Sequence, residues 1–248
     1  MKQLIKWVLG KLGWRLVRET GALPHYGLDH LFPLLIRLGF APKYIVDIGA
    51  NHGKWTRAAL KYFPDAHYTL VEPQDNLKAR IQDLIDQGYN LHWINAGAGD
   101  QTGTMIFHLS HRDDSSSFVP ISRTLAPQTT TARQVPVAVR TLNEIVAASG
   151  NPVPEMVKID AEGFDLKVLA GASQLFGKTE VFLIEAVICE PCYENTVQEV
   201  ICRMTDAGYK LMDITGLNRS PKHGVLWLCD LAFVRKGSRL LKDVTSYE

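Results

Sequence analysis

Residues 157–172, VKIDAEGFDLKVLAGA, place three carboxylates, Asp160, Glu162 and Asp165, where an apolar strand turns into a helix. Acids at such a turn have two uses. Asp160 stands where a helix N-cap is expected, and acids in a first helical turn complement exposed amides and the helix dipole. In a parallel α/β sheet the carboxyl ends of the strands are also where ligands bind, and a carboxylate there can serve as a base or a metal ligand. Glu185, near the end of the apolar run VFLIEAVI, is a further acid at a strand end. Asp165, one turn into the helix, reads as a surface acid.

A second constellation lies upstream. VDIGANHG, residues 46–53, puts Asp47, Gly49, Asn51 and Gly53 at another strand-to-helix turn, and Glu72 ends the next strand 25 residues after Asp47. Gly49 permits close backbone approach and the following helix offers its positive end. The spacing is not the G-x-G-x-x-G of a dinucleotide site.

These residues need a scaffold that presents strand ends to one side. From residue 44 onward, short apolar runs alternate with helical patterns, the signal for a parallel sheet covered by helices. KYIVDIGA, HYTLVE and LHWINAGAG are expected as the first three strands, with helices in NHGKWTRAALKYF and DNLKARIQDLIDQG, the latter closed by Gly88. MIFHLS reads as a strand, and HRDDSSSFVPISRTLAPQTTTARQ as a long loop of the kind that covers or lines a site. VPVAVRTLNEIVAASG is a strand and short helix, and EMVKID, VFLIEAVI and YKLMDI are further core strands. The short connection before LCDLAFVRKG makes the last strand antiparallel.

Composition sets the bounds. With 248 residues, 46% hydrophobic and 21% charged, the chain suits one globular domain. Net charge is +1, yet Lys2, Lys6, Lys11, Arg15 and Arg18 all precede the first acid, so the remainder is mildly acidic and no nucleic-acid partner is expected. The first 18 residues are too interrupted by cations for a signal peptide and too short to span a bilayer. Their basic and apolar mixture can lie on an anionic membrane surface or pack as a leading helix. The expectation is a basic helical segment over residues 1–40, a domain over 41–248, and a cytoplasmic protein with peripheral contact at the inner membrane face through residues 1–18. Cys189, Cys192, Cys202 and Cys229 read as reduced thiols, because the one C-x-x-C pair has no partner set for zinc.

The spacing Asp47-x-Gly49-x-Asn51-x-Gly53 followed by Glu72 resembles the S-adenosylmethionine loop of class I methyltransferases. VKIDAEGFDLKVLAGA resembles the hallmark of the FkbM-type branch, as do DIGANHG, DDSSSF, VRTLNEI and FLIEA, and together they cover about residues 40 to 236. The resemblance implies an α/β, Rossmann-like sandwich with a seven-stranded, mostly parallel sheet and an antiparallel last strand. It implies S-adenosylmethionine as cofactor, with Asp47, Gly49, Asn51 and Gly53 at the amino-acid part and Glu72 at the ribose hydroxyls. The implied reaction is O-methylation of a sugar, glycolipid or secondary metabolite. An aliphatic hydroxyl needs a base, a metal, or both, so Asp160 is expected to address it, supported by Glu162 and Glu185. Asp160 and Glu185 can also hold Mg²⁺. His52, His108 and His111 are spare bases, and Ser115, Ser116, Ser117, Trp55, Phe118 and Tyr193 are candidates for a polyol's hydroxyls and apolar face. Two other readings stay open: methylation of RNA ribose 2′-hydroxyls, and a non-catalytic cofactor-binding regulator or scaffold. The oligomeric state is not legible.

Overall fold

The computed structural model describes residues 27–120, 131–189 and 194–242. Residues 1–18, Cys192 and Tyr193 lie outside them. Seven strands form one sheet: β1 (Tyr44–Ile48), β2 (His67–Val71), β3 (Leu91–Ile94), β7 (Met156–Ile159), β8 (Val181–Val187), β9 (Tyr209–Arg219) and β10 (Leu226–Arg235), in the order β3-β2-β1-β7-β8-β10-β9. The pairings from β3 to β8 are parallel, whereas β10 runs antiparallel to both β8 and β9. This is the α/β architecture expected from the sequence.

Both faces of the sheet are covered, which explains why its central strands are almost continuously apolar. Val46, Val157 and Phe182 pack with Leu142, Val168 and Val200 on one side. Ile45, Tyr68 and Leu70 pack with Leu31, Leu60 and Ile81 on the other. Helix α1 (Leu28–Arg37) buries Leu31, Phe32 and Leu35 completely. The Phe32 ring meets Trp55, Tyr62 and Phe63 at centroid distances of 6.0, 5.6 and 5.3 Å. Helix α1 thus packs against helix α2 (Lys54–Leu60) on that face of the sheet. Among them no helix is long and apolar enough to cross a membrane.

Three expectations change. LHWINAGAG is not one strand: β3 stays in the main sheet, and β4 (Gly97–Gly99) joins a second, three-stranded sheet with β5 (Gly103–Ser110) and β6 (Thr131–Thr141), in the order β4-β6-β5. The glycines are the reason, since a Cβ at Gly97 would come within 2.4 Å of the Phe118 ring and one at Gly99 within 2.9 Å of Val139. The stretch 75–86 is a 3-10 helix, Asp75–Ile81, followed by the short α-helix Gln82–Asp86 rather than one α-helix. The segment expected as one long loop is partly ordered by β5 pairing with β6, and the Ser117 amide donates to the His108 carbonyl at 3.1 Å. Residues 121–130 of it lie outside the described residues.

The chain leaves β1 toward β2 on one side and reaches β7 and β8 on the other. The order reverses between β1 and β7, which is where an open α/β sheet makes a ligand crevice at its carboxyl edge.

Candidate active site

A charged pair sits under that crevice. Asp47 on β1 and Lys158 on β7 are register partners in the parallel ladder. Lys158 Nζ lies 3.2 Å from Asp47 Oδ1 and 3.3 Å from Asp160 Oδ2, and it donates to the carbonyls of Ile48 at 3.2 Å and Gly49 at 2.9 Å. The Asp47 side chain is wholly buried, and its Oδ2 accepts from the Thr56 hydroxyl at 2.6 Å. Burial opposes both charges. For Lys158, Asp160 and Asp47 outweigh it and hold the ammonium above its ordinary value; for Asp47 burial prevails, against the pull of Lys158 and Thr56, and raises the carboxyl.

The Asp47 turn follows from this anchor. The Gly49 and Ala50 amides both donate to the Val71 carbonyl, at 2.9 and 3.2 Å, and the Asp160 amide donates to the Ile48 carbonyl at 3.2 Å. Gly49 has φ of 72°, and a Cβ there would fall 1.8 Å from the Asp160 carbonyl oxygen. Asn51 and Glu162 are the non-glycine residues with positive φ among those described, at 46° and 51°; both line the crevice. Left-handed backbone at such residues clusters at functional sites. The Ser117 hydroxyl donates to the Glu162 carbonyl at 2.7 Å and fixes that turn.

Two cavities open along the carboxyl edge. The first, about 910 Å³ including its open mouth, is lined by Gly49, Asn51, Glu72, Lys158, Asp160 and Glu162 among others. Glu72 is 3% exposed, and its carboxylate accepts the Asn51 and Gln74 amides at 2.9 Å each. Burial raises its pKa, while those amides pull it down. The second cavity, about 400 Å³ by the same measure, lies over β7, β8, β9 and β10 and is lined by Glu185, Thr215 and Asp230 with apolar residues. Asp160, Lys158 and Trp55 line both.

The residues expected to act separate into groups. Gly49, Asn51, Glu72, Asp160 and Glu162 meet in the first cavity, and Glu185 faces the second. Asp47 and Gly53 line neither: Asp47 is bound beneath the turn, and Gly53, at φ 70°, precedes helix α2 (Lys54–Leu60) where a Cβ would come within 2.7 Å of Ile81. Asp160 does not cap a helix. No side chain caps the helix that follows; its first residue, Asp165, is fully buried rather than superficial and ties down the preceding turn: it accepts the Ala161 and Gly163 amides at 3.0 and 3.1 Å and the Asn195 side-chain amide at 2.9 Å. Burial pushes Asp165 up to about 7, despite those amides. Burial, then Asp160, also raises Glu162 and Glu185 well above the carboxylate range, and burial raises Asp230 to about 6.

Ser116 and Phe118 line the first cavity, with their side chains already engaged within the fold. Ser117 is buried, and the Ser116 hydroxyl accepts the Ser110 amide at 3.0 Å. Phe118 stacks between Phe107 and Phe164, with centroids at 4.8 and 5.4 Å. His108 and His111 line neither cavity, whereas His52 lines the first. Among the described residues no group of three or more His, Cys, Asp or Glu side chains is arranged to hold a metal ion. Lys158, Asp230 and Thr215 were missed by sequence reasoning. A signal existed for Lys158, since a cation within an otherwise buried strand has to be paired.

The Methyltransferase FkbM domain family matches residues 47–211. Among solved structures, a methyltransferase FkbM from Methylobacillus flagellatus KT is 15% identical at a TM-score of 0.50, covering 76% of this chain and 43% of that one. The chain thus spans less than half the length of that protein. An rRNA methylase from Streptococcus thermophilus is 10% identical at 0.49, covering 87% and 99%. The 1,6-didemethyltoxoflavin-N1-methyltransferase of Burkholderia thailandensis, solved with S-adenosylhomocysteine, is 14% identical at 0.44, covering 82% and 75%. At 15% identity the likeness to the Methylobacillus flagellatus protein is a likeness of fold. No curated protein gives a significant match.

Proposed function

Because the chain belongs to the FkbM methyltransferase family, we propose that it transfers a methyl group from S-adenosylmethionine to a hydroxyl of a sugar, a glycolipid or a secondary metabolite. The observation that carries this reading is the place of Asp160, which lines both cavities at the carboxyl edge of β7. A cofactor in the first cavity and an acceptor in the second would meet at its carboxylate.

The first cavity suits the cofactor's chemistry. Glu72, Asp114, Asp160 and Glu162 line it and favour a cation, and the buried Glu72 carboxylate can accept from ribose hydroxyls. Gly49 and Asn51 provide the turn against its amino-acid part. When bound, the sulfonium supplies an activated methyl carbon and departs as a neutral thioether.

The chain's own residues would do the rest. Asp160, held by the Lys158 ammonium at 3.3 Å, accepts a hydrogen bond from the acceptor hydroxyl and aligns its oxygen. As the oxygen attacks the methyl carbon, its proton would pass to the Asp160 carboxylate, with Glu162 in the first cavity and Glu185 in the second supporting it. A Mg²⁺ ion at Asp160 and Glu185 would compete with Lys158 for Asp160, so proton removal by carboxylate is the version proposed. Residues 1–18 would contact an anionic membrane from the cytoplasmic side, which suits a lipid-linked glycan as acceptor.

The test is transfer of label from methyl-labelled S-adenosylmethionine to parallel panels of saccharides, glycolipids and RNA. Labelled saccharide or glycolipid, with a loss of at least about 100-fold in Asp160→Asn, supports the reading. Label in RNA alone contradicts the acceptor class. Cofactor binding without transfer to any panel contradicts catalysis and favours the regulatory reading.

A further inference from the structure

Three carboxyl groups, Asp160, Glu185 and Asp230, line the second cavity against one lysine. Glu185 on β8 and Asp230 on β10 are direct partners in the antiparallel ladder, so their side chains stand on the same face of the sheet. Like charges placed this way repel. Asp160 adds a third carboxylate to the same wall. The basic side chain lining the cavity is Lys158, already engaged by Asp47 and Asp160.

A further feature, independent of the acids, points to a ligand. Thr215 lines the cavity at 7% exposure, and its buried hydroxyl oxygen has no hydrogen-bond partner. A buried hydroxyl left unpaired costs about 1–3 kcal/mol, so such groups are normally satisfied. Next to it, Gly216 makes room for the acid: a Cβ there would come within 1.9 Å of Asp230 Oδ2. Trp55, Leu183 and Ile184 supply an aromatic and apolar wall.

We propose that the second cavity is an acceptor subsite for a protonated amine, with the Glu185 and Asp230 carboxylates and the Thr215 hydroxyl as its three hydrogen-bond acceptors. The inference rests on the methyltransferase reading and deepens it: the methylated hydroxyl belongs to an amine-bearing acceptor such as an amino sugar. An ammonium group has three donors and no acceptor, which matches the three groups named. Its single positive charge offsets one of the two facing carboxylates, whereas a neutral polyol offsets neither. The indole of Trp55 is a surface that attracts cations. A metal ion does not fit the same way, because among the described residues no three acids or histidines, these carboxylates included, are arranged to hold one.

The experiment uses the full chain saturated with S-adenosylhomocysteine and follows binding of glucosamine, glucose and N-acetylglucosamine by chemical-shift titration. Glucosamine is expected to bind at least tenfold more tightly than the other two. In Asp230→Asn and in Thr215→Val that preference is expected to shrink while S-adenosylhomocysteine still binds, since neither residue lines the first cavity. Equal affinities for the three sugars, no binding of glucosamine, or an unchanged preference in both variants overturns the amine subsite while leaving the cofactor site standing. Failure of folded wild type to bind S-adenosylhomocysteine overturns the methyltransferase reading itself.

Discussion

Lys158 and Asp47 face each other in direct register on neighbouring parallel strands, with Nζ 3.2 Å from Oδ1. The same ammonium holds Asp160 Oδ2 and the carbonyls of Ile48 and Gly49. One buried cation thus ties the end of β1, the glycine turn and the proposed catalytic carboxylate into a single unit. Its removal should be felt in both stability and chemistry.

Lys158→Met leaves Asp47 buried without its counter-ion, which costs about 3–5 kcal/mol when one partner of a buried pair is lost. Urea denaturation should show a destabilisation of that order. Adding Asp47→Asn should recover part of it, because the uncompensated charge is then gone. Additive losses in the double variant would contradict a coupled pair.

Gly49→Ala places a methyl group 1.8 Å from the Asp160 carbonyl oxygen at a residue with φ of 72°. The backbone has to move, and strain of this kind costs about 1–3 kcal/mol. The displaced turn should also weaken S-adenosylhomocysteine at least tenfold by calorimetry. Unchanged affinity would mean that the turn does not support the cofactor.

Stability should fall from pH 5 to pH 8. Burial raises Asp165 to about 7 and Asp230 to about 6. A carboxyl with a folded value above its unfolded one binds protons more tightly when folded. Its contribution is complete below about pH 4 and is lost as pH rises through the folded values. The urea midpoint is therefore expected to decline over this interval, and to decline less in Asp230→Asn. A midpoint that rises from pH 5 to pH 8 would contradict the burial of these acids.

Deleting residues 1–18 removes five cations and no acid. Sedimentation with anionic liposomes should fall in the truncated chain, at about 1 kcal/mol per basic residue near the surface, with binding of S-adenosylhomocysteine retained. Equal sedimentation of both chains would remove the membrane from the proposed function.

Periodicity made the main sheet legible. Apolar runs bounded by Gly, Pro and acids marked its seven strands; the N-caps Thr141 and Thr196, whose side chains accept the Glu144 and Glu199 amides at 3.2 Å each, went unread. The small second sheet was less legible, because Gly97–Gly99 carries no side-chain pattern and is recruited by Phe118 and Val139 from distant segments. At the site, motif spacing found Gly49, Glu72 and Asp160. It could not assign Asp165, since whether an acid beside a turn is exposed or bonded to backbone amides depends on the fold of the turn itself. Thr215 and Asp230 come from the antiparallel hairpin, and only strand order brings them beside Glu185.

The central claim is that the crevice between β1, β2 and β7 holds S-adenosylmethionine through Glu72. Calorimetric titration with S-adenosylhomocysteine, comparing wild type with Glu72→Ala, tests it most directly. Micromolar binding by wild type, about 8 kcal/mol, is expected, and its loss in a variant that retains its circular dichroism spectrum. No binding by well-folded wild type, or equal binding by both proteins, would contradict it.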